Sequence, residues 1–304
     1  MSARCGRVRA AVKPALAAAS LAAALAGAAC HKTDGAQDAA AERAGPSRPV
    51  PVAIQLPPTV DRWRPWATVV AGARPDLGVV LVHQLGSNRR EWQPLVDRLA
   101  RGPAVTTLAL DLRGHGDSVR GPRDEEVRWE SFGTDPARWM GAAYDVMAAV
   151  TYLRAQGATR VVVAGSSVGA TAALLAATST LPPGAAPLLD PPEVHGLALV
   201  SPGLAYRGVD IREPMDVWLS RGRPLLLLAG ELDGPSAEAV SLLAPARAPA
   251  VRREVFAGAG EHGVSLCNAA PERWASLERW IRQTLDPAPP APLVQPSGDA
   301  AVDR

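Results

Sequence analysis

Cysteine is scarce in this chain, with three among 304 residues. Cys5 and Cys30 stand near the start, so Cys267 is alone in the body of the chain and cannot form an intramolecular disulfide there. No Cys/His spacing suits zinc. Lysine is scarcer still: Lys13 and Lys32 are the only two, and the arginines are spread along the sequence with no visible basic patch. Nucleic acid is therefore not an expected partner. Acids are missing from the first 13 residues, where Arg4, Arg7, Arg9 and Lys13 sit. Setting those four aside takes 32 basic residues to 28 against 30 acidic ones, a balance of −2 instead of +2. Apolar content is what the chain does have. With 47% hydrophobic and 20% charged residues it can bury a core, which excludes disorder throughout.

The acid-free start reads as an address. Residues 1–13 are basic, 14–29 are uncharged and mostly Ala and Leu, and small residues lead into Cys30. Basic, then apolar, then small is the pattern of a secretory signal. A buried helix or a membrane anchor is the competing reading, but sixteen residues fall short of the about 20 that a span needs. The stretch Leu25-Ala-Gly-Ala-Ala-Cys30 also resembles a bacterial lipoprotein signal, which implies lipidation of Cys30 and attachment to a membrane. Gly27 stands where that motif prefers a leucine-like residue, so cleavage after Ala28 stays open. Export from a bacterial cytoplasm is expected in both cases. Residues 30–49 are small, polar and punctuated by Pro46 and Pro49, and read as a flexible tether; 286–304, rich in Pro and Ala, read as a loose tail.

The remaining stretch, 50–285, suits one α/β domain. Short apolar or β-branched runs predict strands at 66–71, 79–83, 105–110, 160–164, 197–201, 225–229 and 251–256, with a weaker one at 50–56. Three-to-four spacing of apolar residues predicts helices over 90–100, 137–155 and 271–285, and the small, apolar stretch 168–177 reads as another. Strands of this kind separated by helices indicate a mostly parallel sheet covered on both faces, with ligands at the carboxyl ends of its strands.

Four of those strand ends are informative. Gly165-Ser-Ser167-Val-Gly169 is a G-x-S-x-G turn between a β-rich run and a small-residue helix, and the glycines let backbones approach around Ser167. Taken alone, such a turn is often only a tight turn. Gly230-Glu-Leu-Asp233 places an acid after an apolar strand; helix capping by Asp233 is the plain alternative, and Glu231 competes as the carboxylate. His262 follows the last strand in a glycine-bracketed loop, where a lone histidine is usually just solvated. Serine, then aspartate, then histidine is nevertheless the chain order of a nucleophile, its orienting acid and its base on this architecture. His83-Gln-Leu85-Gly86 ends an earlier strand, and its backbone can offer an N–H to an oxyanion, with Val168 as the second donor.

With Asn88-Arg-Arg-Glu-Trp92 and Leu110-Asp-Leu-Arg-Gly-His-Gly-Asp-Ser118, these stretches resemble the α/β-hydrolase family from about residue 50 to 285. They look closest to small bacterial serine esterases of the dienelactone-hydrolase-like and lysophospholipase-like kind. The resemblance implies an α/β-hydrolase fold, with a mostly parallel central sheet, helices on both faces and a minimal lid. Gln84 departs from the glycine that many members have after the histidine, which bears on the assignment of Leu85. Dienelactone hydrolases themselves use a cysteine nucleophile, whereas this chain has serine, which argues for ordinary ester chemistry.

The implied reaction is ester hydrolysis through an acyl-enzyme on Ser167, His262 and Asp233, with no metal or organic cofactor and a small-molecule ester as substrate. Lid insertions in the family follow the strand at 197–201. Here 202–224 leave room for a loop and one short helix, with Tyr206, Met215 and Trp218 as pocket candidates. The loop 124–134 is expected near the site, where its acids would disfavour anionic substrates. His83 and His115 are expected to brace loops, His195 to lie at the surface, and Cys267 to be a small buried hydrophobe. A thioesterase, peptidase or acyltransferase on the same triad, and a non-catalytic exported binding lipoprotein, stay open. Oligomeric state is not indicated.

Overall fold

The computed structural model describes residues 49–185, 192–243 and 248–287. The basic start, the apolar run, Cys30, most of the tether and most of the tail lie outside the described residues. Within them, no helix is long and apolar enough to cross a membrane.

The apolar runs form one eight-stranded sheet. Its strands are β1 (Val52–Gln55), β2 (Trp66–Val70), β3 (Arg74–Val82), β4 (Val105–Leu110), β5 (Arg160–Ser166), β6 (Gly196–Val200), β9 (Leu225–Gly230) and β10 (Val251–Phe256). The order across the sheet is β1-β2-β4-β3-β5-β6-β9-β10. β1 and β2 pair antiparallel at one edge, and every pairing from β4 to β10 is parallel. A small hairpin, β7 (Ala205–Tyr206) and β8 (Val209–Asp210), stands apart.

Alternation along the strands divides the core in two. Val80, Val82, Val161, Val163, Leu197, Leu199 and Leu227 face α3 (Ala142–Ala155), α4 (Val168–Thr178) and α5 (Arg212–Ser220). Val79, Leu81, Val162, Ala198, Val200 and Leu228 face α1 (Gln93–Leu99) and α8 (Pro271–Leu285). Both faces are therefore covered, and strands buried on both sides read as continuous apolar runs. α4 lies between the sheet and neighbouring helices, and all eleven of its residues are buried. Small side chains in Val168-Gly-Ala-Thr-Ala-Ala allow that close packing.

Several boundaries differ from the sequence reading. β3 begins at Arg74 instead of 79, because a register shift between Arg74 and Gly78 carries the strand past Pro75. The helix expected over 137–155 is two, α2 (Pro136–Met140) and α3, meeting at Gly141, where a Cβ would run into the Arg113 guanidinium. The helix expected from residue 90 begins at Gln93 with Pro94 in its first turn, after a 3-10 turn over Arg89–Trp92. The segment 202–224 holds the small hairpin and α5, which agrees with a minimal lid. Two short helices, α6 (Gly234–Leu242) and α7 (Val264–Asn268), complete the domain.

Candidate active site

The sheet reverses its winding at β3: β4 lies on one side and β5 on the other. Crevices form at the carboxyl ends of strands at such a point. Ser167 stands there, between the end of β5 and the start of α4, with φ 53° and ψ −114°. A positive φ is uncommon for serine and marks a strained turn. The flanking glycines make it possible. A Cβ on Gly165 would collide with the Gly169 carbonyl, and one on Gly169 with the carbonyls of Val82 and His83. The Ser167 N–H donates to the Val200 carbonyl at 2.9 Å, tying the turn to β6. Neighbouring Ser166 is fully buried and points its hydroxyl at Gln84 Oε1, 3.4 Å away.

Asp233 and His262 arrive from the next two strand ends. Asp233 is the residue before α6, but its side chain caps nothing. Its Oδ2 instead accepts from His262 Nδ1 at 2.8 Å. Glu231 is turned away and accepts the Gly258 N–H at 2.8 Å. With Nδ1 donating to Asp233, His262 Nε2 is free to accept from Ser167 Oγ, also at 2.8 Å. The structure thus brings Ser167, His262 and Asp233 into one hydrogen-bonded row from residues far apart in the chain. Such a row can draw the hydroxyl proton onto the imidazole while the carboxylate holds the ring and balances its charge. Asp233 is nearly enclosed and the imidazole about half exposed.

An open cavity of about 460 Å³ fronts Ser167 and His262, lined also by Gln84, Leu85 and Ser265. Val168 is the first residue of α4, so the helix itself does not use its N–H. Among the described residues the Leu85 N–H has no acceptor. The Leu85 loop is braced on two sides. His83 is fully buried; its Nε2 accepts the Leu112 N–H at 3.0 Å, and its Nδ1 therefore donates to the Gln84 carbonyl at 2.7 Å. Burial pushes the His83 imidazole down to about 3, which keeps it neutral. Opposite it, Glu91 Oε1 accepts the Gln84 N–H at 2.9 Å, and burial raises that carboxyl to about 7.

Some expectations fall elsewhere. Met215 and Trp218 are buried in the core beside α4, and Tyr206 packs edge-on against Trp139 at 5.1 Å; none of the three lines the cavity at Ser167. α5 turns its apolar face to the core because α4 offers it an apolar partner. Among the described residues, no acid of the 124–134 loop lines that cavity. The loop approaches through Trp129, which stacks on His115 and reaches Gly86. His195 is half-buried, and its Nδ1 accepts the Val161 N–H at 3.2 Å. Cys267 is buried, and desolvation pushes its thiol up to about 12, which makes it inert.

Sequence reasoning missed Ser201 and Ser265. Ser201 is buried at the end of β6, with φ 47°, and its Oγ accepts the Gly263 N–H at 2.9 Å, fixing the backbone beside His262. No local signal marks a serine for that role. Among the described residues, no cluster of three or more His, Cys, Asp or Glu side chains is arranged to hold a metal ion.

The comparisons with known proteins agree on the fold. The esterase Pf2001 of Pyrococcus furiosus superposes with a TM-score of 0.59 at 16% identity, covering 78% of this chain and 92% of its own. A dienelactone hydrolase of Anabaena variabilis gives a TM-score of 0.55 at 16% identity, covering 79% of this chain and 100% of its own. The peroxisomal α/β-hydrolase Lpx1 of Saccharomyces cerevisiae gives 0.57 at 14% identity, covering 82% and 94%. No curated protein sequence matches the chain. The family model described as the alpha/beta hydrolase family matches residues 79–304, and the chain belongs to that family.

Proposed function

We propose that the protein is a serine hydrolase that cleaves carboxylic esters through an acyl-enzyme. The observation behind this reading is the row from Ser167 Oγ to His262 Nε2 to Asp233 Oδ2, each link at 2.8 Å. Ser167 Oγ attacks the ester carbonyl carbon as its proton passes to His262 Nε2. The carbonyl oxygen becomes an oxyanion facing the N–H groups of Leu85 and Val168, each worth roughly 3 kcal/mol in comparable sites. Collapse breaks the bond to the alkoxy group, which takes the proton from Nε2 and leaves as an alcohol. Water then attacks the acyl carbon, gives a proton to Nε2, and that proton returns to Ser167 Oγ as the acid departs.

The cavity of about 460 Å³ is open and has no extended lid, which suits short or water-soluble acyl groups. A thioesterase, peptidase or acyltransferase would use the same three residues. A non-catalytic binding protein would have no use for Ser167 held at φ 53° against the imidazole. We extend the proposal to location: the basic start, the short apolar run and Cys30 suit export and anchoring through a lipid on Cys30. Mass determination of the mature N-terminal peptide tests that part.

Reaction with a fluorophosphonate, followed by peptide mapping, tests the chemistry. A stable adduct on Ser167 that disappears in His262→Ala is the expected result, with hydrolysis of short-chain esters alongside it. A folded chain that takes no label would overturn the reading. Turnover of thioesters or peptides in preference to esters would redirect it to those substrates.

A further inference from the structure

The arginines that look scattered in the sequence converge in the fold. Arg62, Arg64, Arg120 and Arg123 line one cavity of about 550 Å³, together with Gln55 and Asp124. Among the described residues, none of the four guanidiniums has a carboxylate within ion-pair distance. By contrast Arg128, Arg138, Arg212 and Arg252 each pair with an acid. Nearby acids are otherwise engaged: Glu125 Oε2 accepts the Arg123 N–H at 2.8 Å, and Glu126 pairs with Arg128. Asp124 is the one carboxylate lining the cavity.

Two ordered turns present these arginines. In the first, Thr59 Oγ1 accepts the Trp63 N–H at 2.9 Å and the Thr59 N–H donates to the Trp63 carbonyl at 2.8 Å, which places Arg62 at φ 71°. In the second, Arg120 pairs with Glu126 as an antiparallel bridge, and the Gly121 N–H donates to the Glu125 carbonyl at 2.8 Å. Arg120 Nη1 donates to the Asp124 carbonyl at 3.2 Å, which orients its fork. Four like charges around one cavity, set against the single carboxylate of Asp124, leave an excess of positive charge there that favours an anion among them. Guanidinium forks match the geometry of phosphate oxygens.

We propose that this cavity binds a phosphate group, of free phosphate or of an anionic lipid headgroup. The same segment leaves Val50, Val52 and Val60 exposed, at 76%, 54% and 65%. Apolar side chains beside basic ones suit the boundary between headgroups and acyl chains, so a membrane surface is one source of the phosphate.

The test compares the full chain with a variant carrying Arg62→Gln, Arg64→Gln, Arg120→Gln and Arg123→Gln. A control removes the same charge at Arg128, Arg138, Arg212 and Arg252. Titration calorimetry with inorganic phosphate reads the free anion. Sedimentation with phosphatidylcholine vesicles, with and without phosphatidylglycerol, reads the headgroup. The parent and the control bind one of these ligands, and the cavity variant loses at least about tenfold in affinity, or 1.4 kcal/mol. Phosphate binding alone assigns a free-anion site. Binding only to phosphatidylglycerol vesicles assigns a headgroup site. Equal binding by cavity variant and control, or none by the parent, overturns the proposal. All four side chains are exposed, so the variant should fold, and circular dichroism checks this; the pair Arg62→Gln and Arg120→Gln serves as a milder second variant.

Discussion

The Oε1 of Gln84 occupies the space that a side chain on Gly263 would need. The two residues belong to the loop that presents the Leu85 N–H and to the loop that presents His262, so their contact sets the distance between those loops. Gly263 is also at φ 62° and ψ −141°, a region open to glycine and costly for other residues. Gly263→Ala should lower kcat/KM on a short ester by about 10²-fold through misplacement of His262. Gln84→Gly in the same chain should recover only the share due to the Gln84 clash, leaving the close Ser166 hydroxyl and the backbone strain. Kinetics on the four chains of the double-mutant cycle measure that share.

Asp233 holds the imidazole in the tautomer that leaves Nε2 able to accept a proton. Asp233→Asn should cost about 10⁴-fold in kcat, and Ser167→Ala at least as much. Neither change removes core packing, so thermal midpoints should stay near that of the parent. Ester kinetics together with melting curves check both halves.

Glu91 gives a pH dependence of stability. Its folded-state pKa is raised from 4.5 to about 7, so the folded chain holds the proton more tightly than the unfolded one. That contribution is fully present below about pH 4.5 and is lost as the pH rises through about 7. Glu91→Gln keeps an oxygen for the Gln84 N–H and removes the ionisation. Its thermal midpoint relative to the parent should therefore rise between about pH 5 and pH 8. A constant difference across that range would contradict the assignment.

Asp111 and Arg89 form a buried ion pair beneath the same loops, with side-chain exposures of 0% and 8%. Asp111 also accepts the backbone N–H groups of Arg89 and Asp117, at 2.7 and 2.9 Å. Asp111→Ala would leave the guanidinium with only Asp117 and Thr68 as partners. A loss of about 3–5 kcal/mol is expected, read by urea denaturation.

The sequence by itself determined the layered fold and the tight turn at Ser167, because both rest on local patterns. Alternating apolar strands and small-residue helices specify a covered parallel sheet, and glycines on both sides of Ser167 permit its turn, since a Cβ on either would meet backbone. Asp233 and His262 were legible as an ordered set at strand ends, but not in detail. Only the fold decided that Asp233 reaches His262 while Glu231 binds a loop N–H, since the chain turns after β9, with the Asp233 N–H donating to the Gly230 carbonyl at 3.2 Å, and sends the two carboxylates to different neighbours. The fold also sent Met215 and Trp218 into the core: a helix's apolar spacing says that a face is buried, and its neighbours decide against what. The four arginines are the extreme case. They lie on two turns separated by more than fifty residues, and nothing local distinguishes them from the paired arginines elsewhere. Their convergence follows from the pairing of β2 with β4, which sets the segments flanking those strands side by side.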